Sequence, residues 1–193
     1  MRLLPFTTIF LGAILLAQHF FAFFVPSVSK KFLQQFPRSR YFGNILLAIA
    51  SVYFFLLVAT VDLGEFSPMR PIFLIAIFIG MILFGWLVPD FLAVRSLGFL
   101  VLEIAHSLLE ITFLQTSWSA FFLALLAYIW IVAGFIFVAA PYLLLKAISI
   151  VTNPGYHQIW NSFCFMGIIY GITLLGSGLL TAFTPLLSLI LGF

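Results

Sequence analysis

The chain has 193 residues, of which 65% are hydrophobic and 7% charged, with a mean hydropathy of +1.30. A soluble domain carries about 25% charged residues, so this composition excludes a water-facing globular domain. The net charge of +3 comes from scattered basic residues without interleaved aromatic residues, which argues against nucleic-acid binding. A single cysteine, Cys164, excludes an internal disulfide and a cysteine-rich metal cluster.

Six apolar segments are long enough to cross a bilayer as helices, which takes about 20 largely apolar residues. They are residues 3–25, 44–61, 71–88, 95–114, 119–140 and 158–180. The first segment has only Arg2 as a basic start and no small-residue cleavage site, so we expect it to stay in place as a helix. The sequence therefore predicts an all-α fold: a bundle of about six transmembrane helices in one domain over residues 1–193.

Two further segments, residues 28–42 and 142–150, are predicted to lie in the membrane–water interface. In the first, Phe32, Leu33 and Phe36 fall on one side of a short helix, as is typical of a helix lying among headgroups. Its basic residues are candidates for contact with anionic lipid or a partner protein: Lys30, Lys31, Arg38 and Arg40. Two alternatives stay open. The charges only fix the topology, or the two arginines bind a phosphate or an acidic loop of a partner.

The basic residues also predict an orientation, because positive charge favours the cytoplasmic side. One set of loops holds six of them: Lys30, Lys31, Arg38, Arg40, Arg95 and Lys146. The other set holds Arg2 and Arg70, together with Asp62 and Glu65. We therefore expect a multi-pass protein of a bacterial inner membrane with both termini outside the cytoplasm. If the third and fourth segments instead form one re-entrant hairpin, the C-terminal half inverts.

Small residues one turn apart predict close helix contacts, because they let two backbones approach each other in lipid. The sixth segment contains Gly167-x-x-x-Gly171 and then Gly176. A weaker pattern, Ala13-x-x-x-Ala17, lies in the first segment. Such patterns predict a helix contact without identifying the partner, which belongs either to this chain or to another protein.

Glu103, His106 and Glu110 form a polar stripe in the fourth segment, at positions i, i+3 and i+7. On a helix they fall within about 60° of one another, and counted from Arg95 they cross the middle of the bilayer. Ionisable groups at that depth are costly and usually face the protein interior or a watery cavity. The stripe is therefore a candidate proton or cation relay. The alternative is structural: hydrogen bonds to neighbouring helices, with Glu110 reaching the outer interface.

A haem site is a further hypothesis, because His19 and His106 both lie in predicted spans. No metal site is predicted, since Glu103-x-x-His106 has no second motif of its kind on another segment. No cofactor is predicted either. Asp90, which follows Pro89, is expected to cap the fourth helix, a role that aspartate fills well.

Three classes of function remain open. The first is a non-catalytic membrane subunit or scaffold of a larger complex, with other membrane proteins and the bilayer as partners. The second is a small proton-coupled transporter, or a substrate-binding transporter subunit, that uses Glu103, His106 and Glu110. The third is a haem-binding redox subunit or membrane enzyme, for which the sequence supplies no nucleophile–base pair. The first is preferred because the spans carry few polar residues and several small-residue faces.

Overall fold

The computed structural model of the chain describes residues 3–88, 90–153, 155 and 157–191, with side chains described as far as Thr184. The described residues form helices and no strand. The α-helices are α1 (Leu3–Phe24), α2 (Pro26–Gln35), α3 (Arg40–Thr60), α4 (Arg70–Leu87), α5 (Leu92–Thr112), α6 (Trp118–Ala139), α7 (Pro141–Thr152) and α8 (His157–Leu191). Two 3₁₀ segments, Phe36–Arg38 and Gly64–Met69, precede α3 and α4.

Six of these helices are long and apolar enough to cross a membrane: α1, α3, α4 with its preceding 3₁₀ turn, α5, α6 and α8. The predicted all-α, multi-pass fold is therefore confirmed. Helices α4 and α5 are separate, and each has the length and composition of a span of its own. Pro71 lies in the first turn of α4, where its missing N–H costs nothing.

The residues of the first predicted interfacial segment, 28–42, are divided between α2, a 3₁₀ turn and α3. Helix α2 ends at Gln35, Pro37 lies in a 3₁₀ turn, and α3 already begins at Arg40. The Ser39 side chain accepts a hydrogen bond from the Phe42 N–H at 3.3 Å and so caps α3. A serine in this position satisfies one of the N–H groups that a helix start leaves open. Residues 40–42 therefore belong to α3. The second predicted interfacial segment, residues 142–150, lies within helix α7.

Helix α8 is longer than the predicted sixth span, because it continues past Thr184-Pro185 to Leu191. Proline has no N–H, so Pro185 leaves the Thr181 carbonyl without its intrahelical donor. The Thr184 hydroxyl donates to this carbonyl at 3.0 Å. Threonine side chains commonly satisfy such carbonyls in membrane helices. The proline therefore does not end the helix.

The chain divides into two compact units, and the division passes through α2, α5, α6 and α7. The first unit comprises Met1–Phe32, Ala105–Ile129 and Ile148–Phe193. In it α1 and α8 run antiparallel, since Ile9 approaches Gly178 while Gly12 and Leu16 approach Gly171. A hydrogen bond also joins α8 to α6 in this unit: the Tyr170 hydroxyl donates to the Phe122 carbonyl at 2.7 Å.

The second unit comprises Leu33–Ile104 and Trp130–Ala147. Its helices also meet at glycines. A Cβ added to Gly98 of α5 would lie 2.9 Å from the Gly134 carbonyl oxygen of α6. A Cβ added to Gly43 of α3 would lie 2.9 Å from the Ala93 nitrogen. The starts of α3 and α5 are therefore in backbone contact, and this contact positions one of the sites described below.

Candidate functional site

The polar stripe lies along α5, in the second half of the helix. Helix α5 begins at Leu92 and has 21 residues, a length of about 31 Å. Glu103 is its twelfth residue and lies at the middle, whereas Glu110 lies in its last turn. His106 lies about 9 Å before the C-terminal end. The stripe therefore runs from the middle of α5 to its last turn, and its depth in the bilayer stays a prediction.

His106 and Glu110 form a pair on an open face of α5. The His106 Nε2 lies 4.0 Å from the Glu110 Oε1, and the two side chains are 52% and 62% exposed. The pair is an ion pair only when the imidazole is protonated. A glutamate in the last turn of a helix faces the negative end of the helix dipole, and an adjacent imidazolium offsets that cost. Both residues belong to the first unit.

Glu103 belongs to the second unit, which ends on α5 at Ile104. Its side chain is partly buried, and its Oε2 is buried without a hydrogen-bond partner among the described residues. A buried polar atom without a partner is costly, and such atoms often mark functional positions. Chemically, this carboxyl group can hold or release a proton in apolar surroundings.

His19 is engaged in the contact between α1 and α8. Its Nδ1 lies 2.8 Å from the Leu15 carbonyl oxygen of its own helix. The ring packs against Phe163, with 5.6 Å between centroids, and covers Gly167 so closely that an added Cβ there would collide with it. The two histidines of the haem hypothesis thus have different surroundings: His19 lies in a helix contact and His106 on an exposed face.

The four basic candidates divide between two places. Lys30 lies over the ring of the buried Trp160, 5.1 Å from its centroid, and the Trp160 Nε1 donates to the Ala22 carbonyl at 3.2 Å. Lys31 is exposed. In the second unit, Arg38 and Arg40 are both exposed and line a cavity of about 200 Å³. The other lining residues are Pro37, Ser39, Asp90, Phe91 and Leu92.

Asp90 does not have the capping role that the sequence predicted. The start of α5 uses the Phe91 carbonyl, which accepts from the Val94 and Arg95 N–H groups at 3.0 and 3.1 Å. Phe91 adopts a positive φ of 56°, which is uncommon for a bulky residue. Asp90 makes no hydrogen bond or ion pair with another described residue. It instead lines the same cavity as the two arginines.

The predicted packing glycines have different surroundings. Gly167 and Gly171 face α1, against His19 and Leu16, whereas a Cβ at Gly176 would meet open space. Gly178 takes part in the contact instead, against Ile9. The α1 side uses Gly12, which is buried, rather than the exposed Ala13 and Ala17. The Gly98–Gly134 contact was not predictable, because neither glycine stands in a repeated small-residue pattern.

Sequence reasoning also missed a cavity of about 390 Å³ between α5 and α6 in the first unit. Its lining residues are Thr112, Gln115, Thr116, Ser117, Trp118, Ala120, Phe121 and Ala124. The uncharged polar run from Gln115 to Ser117 was the available signal. Ser117 caps α6 by accepting from the Ala120 N–H at 3.3 Å, so part of this polarity serves the fold.

The described residues contain no group of three His, Cys, Asp or Glu side chains placed to hold a metal ion. Comparisons of the chain with protein-family models, with curated proteins and with solved structures give no match. Its class therefore rests on its own sequence and fold. The chain is an all-α, multi-pass integral membrane protein with six helices that have the length and composition of spans.

Proposed function

We propose that this protein is a non-catalytic membrane subunit, and that another membrane protein covers α5 at His106 and Glu110. The exposure of these two side chains carries the proposal. Ionisable groups in transmembrane helices almost always face protein or a water-filled cavity, because contact with lipid is costly. A neighbouring helix from a second protein would remove the pair from lipid and satisfy its hydrogen bonds.

Position along the helix supports this proposal more strongly for His106 than for Glu110. Glu110 lies in the last turn of α5 and reaches the headgroup region without help. His106, about 9 Å inside that end, has a shorter reach and remains more than half exposed. The partner helix is expected to present hydroxyl or amide groups here, since such groups bond across helices in lipid.

Photo-crosslinking from Phe113, which follows Glu110 by less than one turn and is 72% exposed, tests the proposal. Benzoylphenylalanine replaces one aromatic ring with another there, so the His106–Glu110 pair stays intact. Phe78 of α4, 58% exposed, is the matched control. We expect position 113 to crosslink to one defined membrane protein in native membranes, and position 78 to give no protein adduct.

The crosslink must also depend on the pair itself. His106→Leu and Glu110→Gln are expected to weaken the adduct from position 113. Equal adducts from positions 78 and 113, or an adduct that survives both substitutions, would contradict the subunit proposal.

We further propose a bacterial inner membrane as the location, with both termini outside the cytoplasm. The support is the distribution of charge between the loops and the antiparallel packing of α1 and α8, which brings the start of α1 beside the later part of α8. A C-terminal alkaline phosphatase fusion tests this orientation, since it is active only outside the cytoplasm. An inactive phosphatase fusion together with a fluorescent green fluorescent protein fusion would reverse it.

Glu103 favours a second candidate function, a proton-coupled transporter. The supporting observation is its buried, unpartnered Oε2 at the middle of a membrane helix. In that case Glu103→Gln abolishes pH-driven flux in proteoliposomes, while Glu110→Gln at the helix end has a smaller effect. Unchanged flux in Glu103→Gln would remove this candidate and leave the subunit proposal in place.

A further inference from the structure

We propose that the cavity between the starts of α3 and α5 binds a phosphate group at the membrane surface. The cavity has a volume of about 200 Å³, and the guanidinium-bearing residues Arg38 and Arg40 both line it. Lipid headgroups and free phosphate both carry this chemical group, and the experiment below separates the two sources.

The place of the cavity in the fold indicates a site at the membrane surface. Helices α3 and α5 both have the length and composition of spans, and both begin at this cavity, at Arg40 and Leu92. The close approach of Gly43 to Ala93 holds the two helix starts together. Two adjacent span ends lie at the boundary between hydrocarbon and water, which is the depth of the lipid phosphates.

The charge of the residues that line the cavity favours an anion. Neither Arg38 nor Arg40 takes part in an ion pair or hydrogen bond of its side chain with another described residue. Two arginines and one aspartate, Asp90, therefore line the same cavity, so basic residues outnumber acidic ones in its lining. The planar guanidinium matches phosphate with two parallel hydrogen bonds, which makes arginine the preferred residue for phosphate recognition.

The direction of the two helices also favours an anion. The N-terminal end of each helix carries N–H groups without intrahelical acceptors and a partial positive charge. At this cavity two such ends add to the two guanidinium groups. Ser39 fixes the geometry between the arginines, since its hydroxyl is bonded to the Phe42 N–H at 3.3 Å and caps α3.

The size of the cavity limits the ligand. Pockets that enclose a whole organic molecule measure about 300–1,000 Å³. A cavity of about 200 Å³ accommodates a single phosphate group and leaves the rest of a lipid outside, in the bilayer. The ligand is therefore a single phosphate group, either the free ion or part of a lipid headgroup.

Native mass spectrometry of the purified full-length chain in detergent tests the proposal, with phosphatidylglycerol as the probe and diacylglycerol of the same acyl chains as the phosphate-free control. We expect phosphatidylglycerol to remain bound and diacylglycerol to be lost. Arg38→Gln and Arg40→Gln should each weaken phosphatidylglycerol binding about tenfold, the loss expected for one charge-assisted hydrogen bond. Lys31→Gln removes the same charge from an exposed residue outside the cavity lining and should leave binding within about twofold, as expected of a screened, exposed charge.

Asp90→Asn gives a change of opposite sign, which misfolding cannot imitate. Removal of the only carboxylate among the cavity-lining residues should tighten phosphatidylglycerol binding. Helical circular dichroism of each variant confirms that it is folded.

Competition identifies the source of the phosphate. Retention of phosphatidylglycerol in the presence of millimolar inorganic phosphate indicates a lipid site, and its displacement by inorganic phosphate indicates a site for the free ion. Either result supports the cavity. Equal losses in Arg38→Gln and Lys31→Gln, or no tightening in Asp90→Asn, would overturn the proposal, because binding would then follow overall charge.

Discussion

Gly98 of α5 and Gly134 of α6 face each other with their backbones in mutual contact. A Cβ on Gly98 would lie 2.9 Å from the Gly134 carbonyl oxygen, and a Cβ on Gly134 would lie 3.0 Å from the Gly98 carbonyl oxygen. Without a hydrophobic driving force between helices in lipid, such close packing is a main source of association. This crossing therefore contributes to the stability of the second unit.

We expect Gly98→Ala to destabilise the fold, because the added methyl group meets backbone that cannot move aside. Overpacking of this kind costs about 1–3 kcal/mol. Gly80→Ala is the matched control: Gly80 lies in a membrane helix, and a Cβ there meets open space. It should be neutral or slightly stabilising, since alanine favours helix more than glycine does. The free energy of unfolding in mixed micelles checks both, and equal values for the two variants would refute the importance of the crossing.

A second glycine contact depends on a histidine. An alanine at Gly167 would collide with the ring of His19, whose Nδ1 is bonded to the Leu15 carbonyl oxygen. We expect Gly167→Ala to lower the free energy of unfolding, and His19→Ala to restore part of the loss in the double variant. The two effects should thus be non-additive by about 0.5–3 kcal/mol, as for residues in direct contact.

Gly176→Ala, on the same helix, meets open space and serves as the control. If Gly167→Ala and His19→Ala prove additive, the ring does not occupy this position in the folded protein. The same variants bear on the haem hypothesis, because a histidine held in a helix contact has a structural role that does not require an iron ion.

The number and approximate position of the spans were predictable because they depend on length and apolar content, which the sequence displays directly. The start of α3 was not predictable, because it depends on one hydrogen bond between the Ser39 side chain and the Phe42 N–H. The end of α8 was not either. A proline normally signals a helix end. Here the helix continues, and the Thr184 hydroxyl donates a hydrogen bond to the Thr181 carbonyl.

The sequence predicted which residues form the candidate sites, but not which other residues lie next to them in the fold. Helical spacing placed Glu103, His106 and Glu110 on one face, but burial separates Glu103 from the exposed pair. The repeated glycines predicted a helix contact, yet spacing alone carries no information about the partner, which is α1. Arg38 and Asp90 line the same cavity although they lie about 50 positions apart in the sequence, on different loops. Contacts of this kind follow from tertiary packing.

A chain of hydroxyl groups joins α6 to α8 in the first unit. The Ser119 Oγ is buried and lies 2.9 Å from both the Ser117 Oγ and the Thr181 Oγ1. Hydrogen bonds between membrane helices contribute about 0.6 kcal/mol on average, so we expect Ser119→Ala to cost less than about 1 kcal/mol. A double-variant cycle with Thr181→Val, read from unfolding free energies, should give a coupling of that size. A coupling near zero would mean that the two hydroxyl groups do not interact.

Arg70 closes the end of α3 as well as carrying a charge. Its Nη1 donates to the Ala59 carbonyl, and its Nη2 donates to the Val61 carbonyl at 2.8 Å. Helix α3 ends at Thr60, so these are carbonyls that the helix leaves without donors. We expect Arg70→Lys to cost about 1–2 kcal/mol, because a single ammonium group cannot reproduce the two directed bonds of the guanidinium.

The lysine variant separates two roles of Arg70. Lysine keeps the positive charge that topology responds to, so terminal reporter fusions should give the same orientation as in the unchanged chain. Arg70→Gln loses both the positive charge and the two directed hydrogen bonds of the guanidinium group, so it should be less stable than Arg70→Lys. If Arg70→Lys is as stable in mixed micelles as the unchanged chain, the two carbonyl bonds contribute nothing measurable. Arg70 would then act on topology alone, and the connection between α3 and α4 would be held by helix packing, as at Gly85, where an added Cβ would lie 3.1 Å from Leu47.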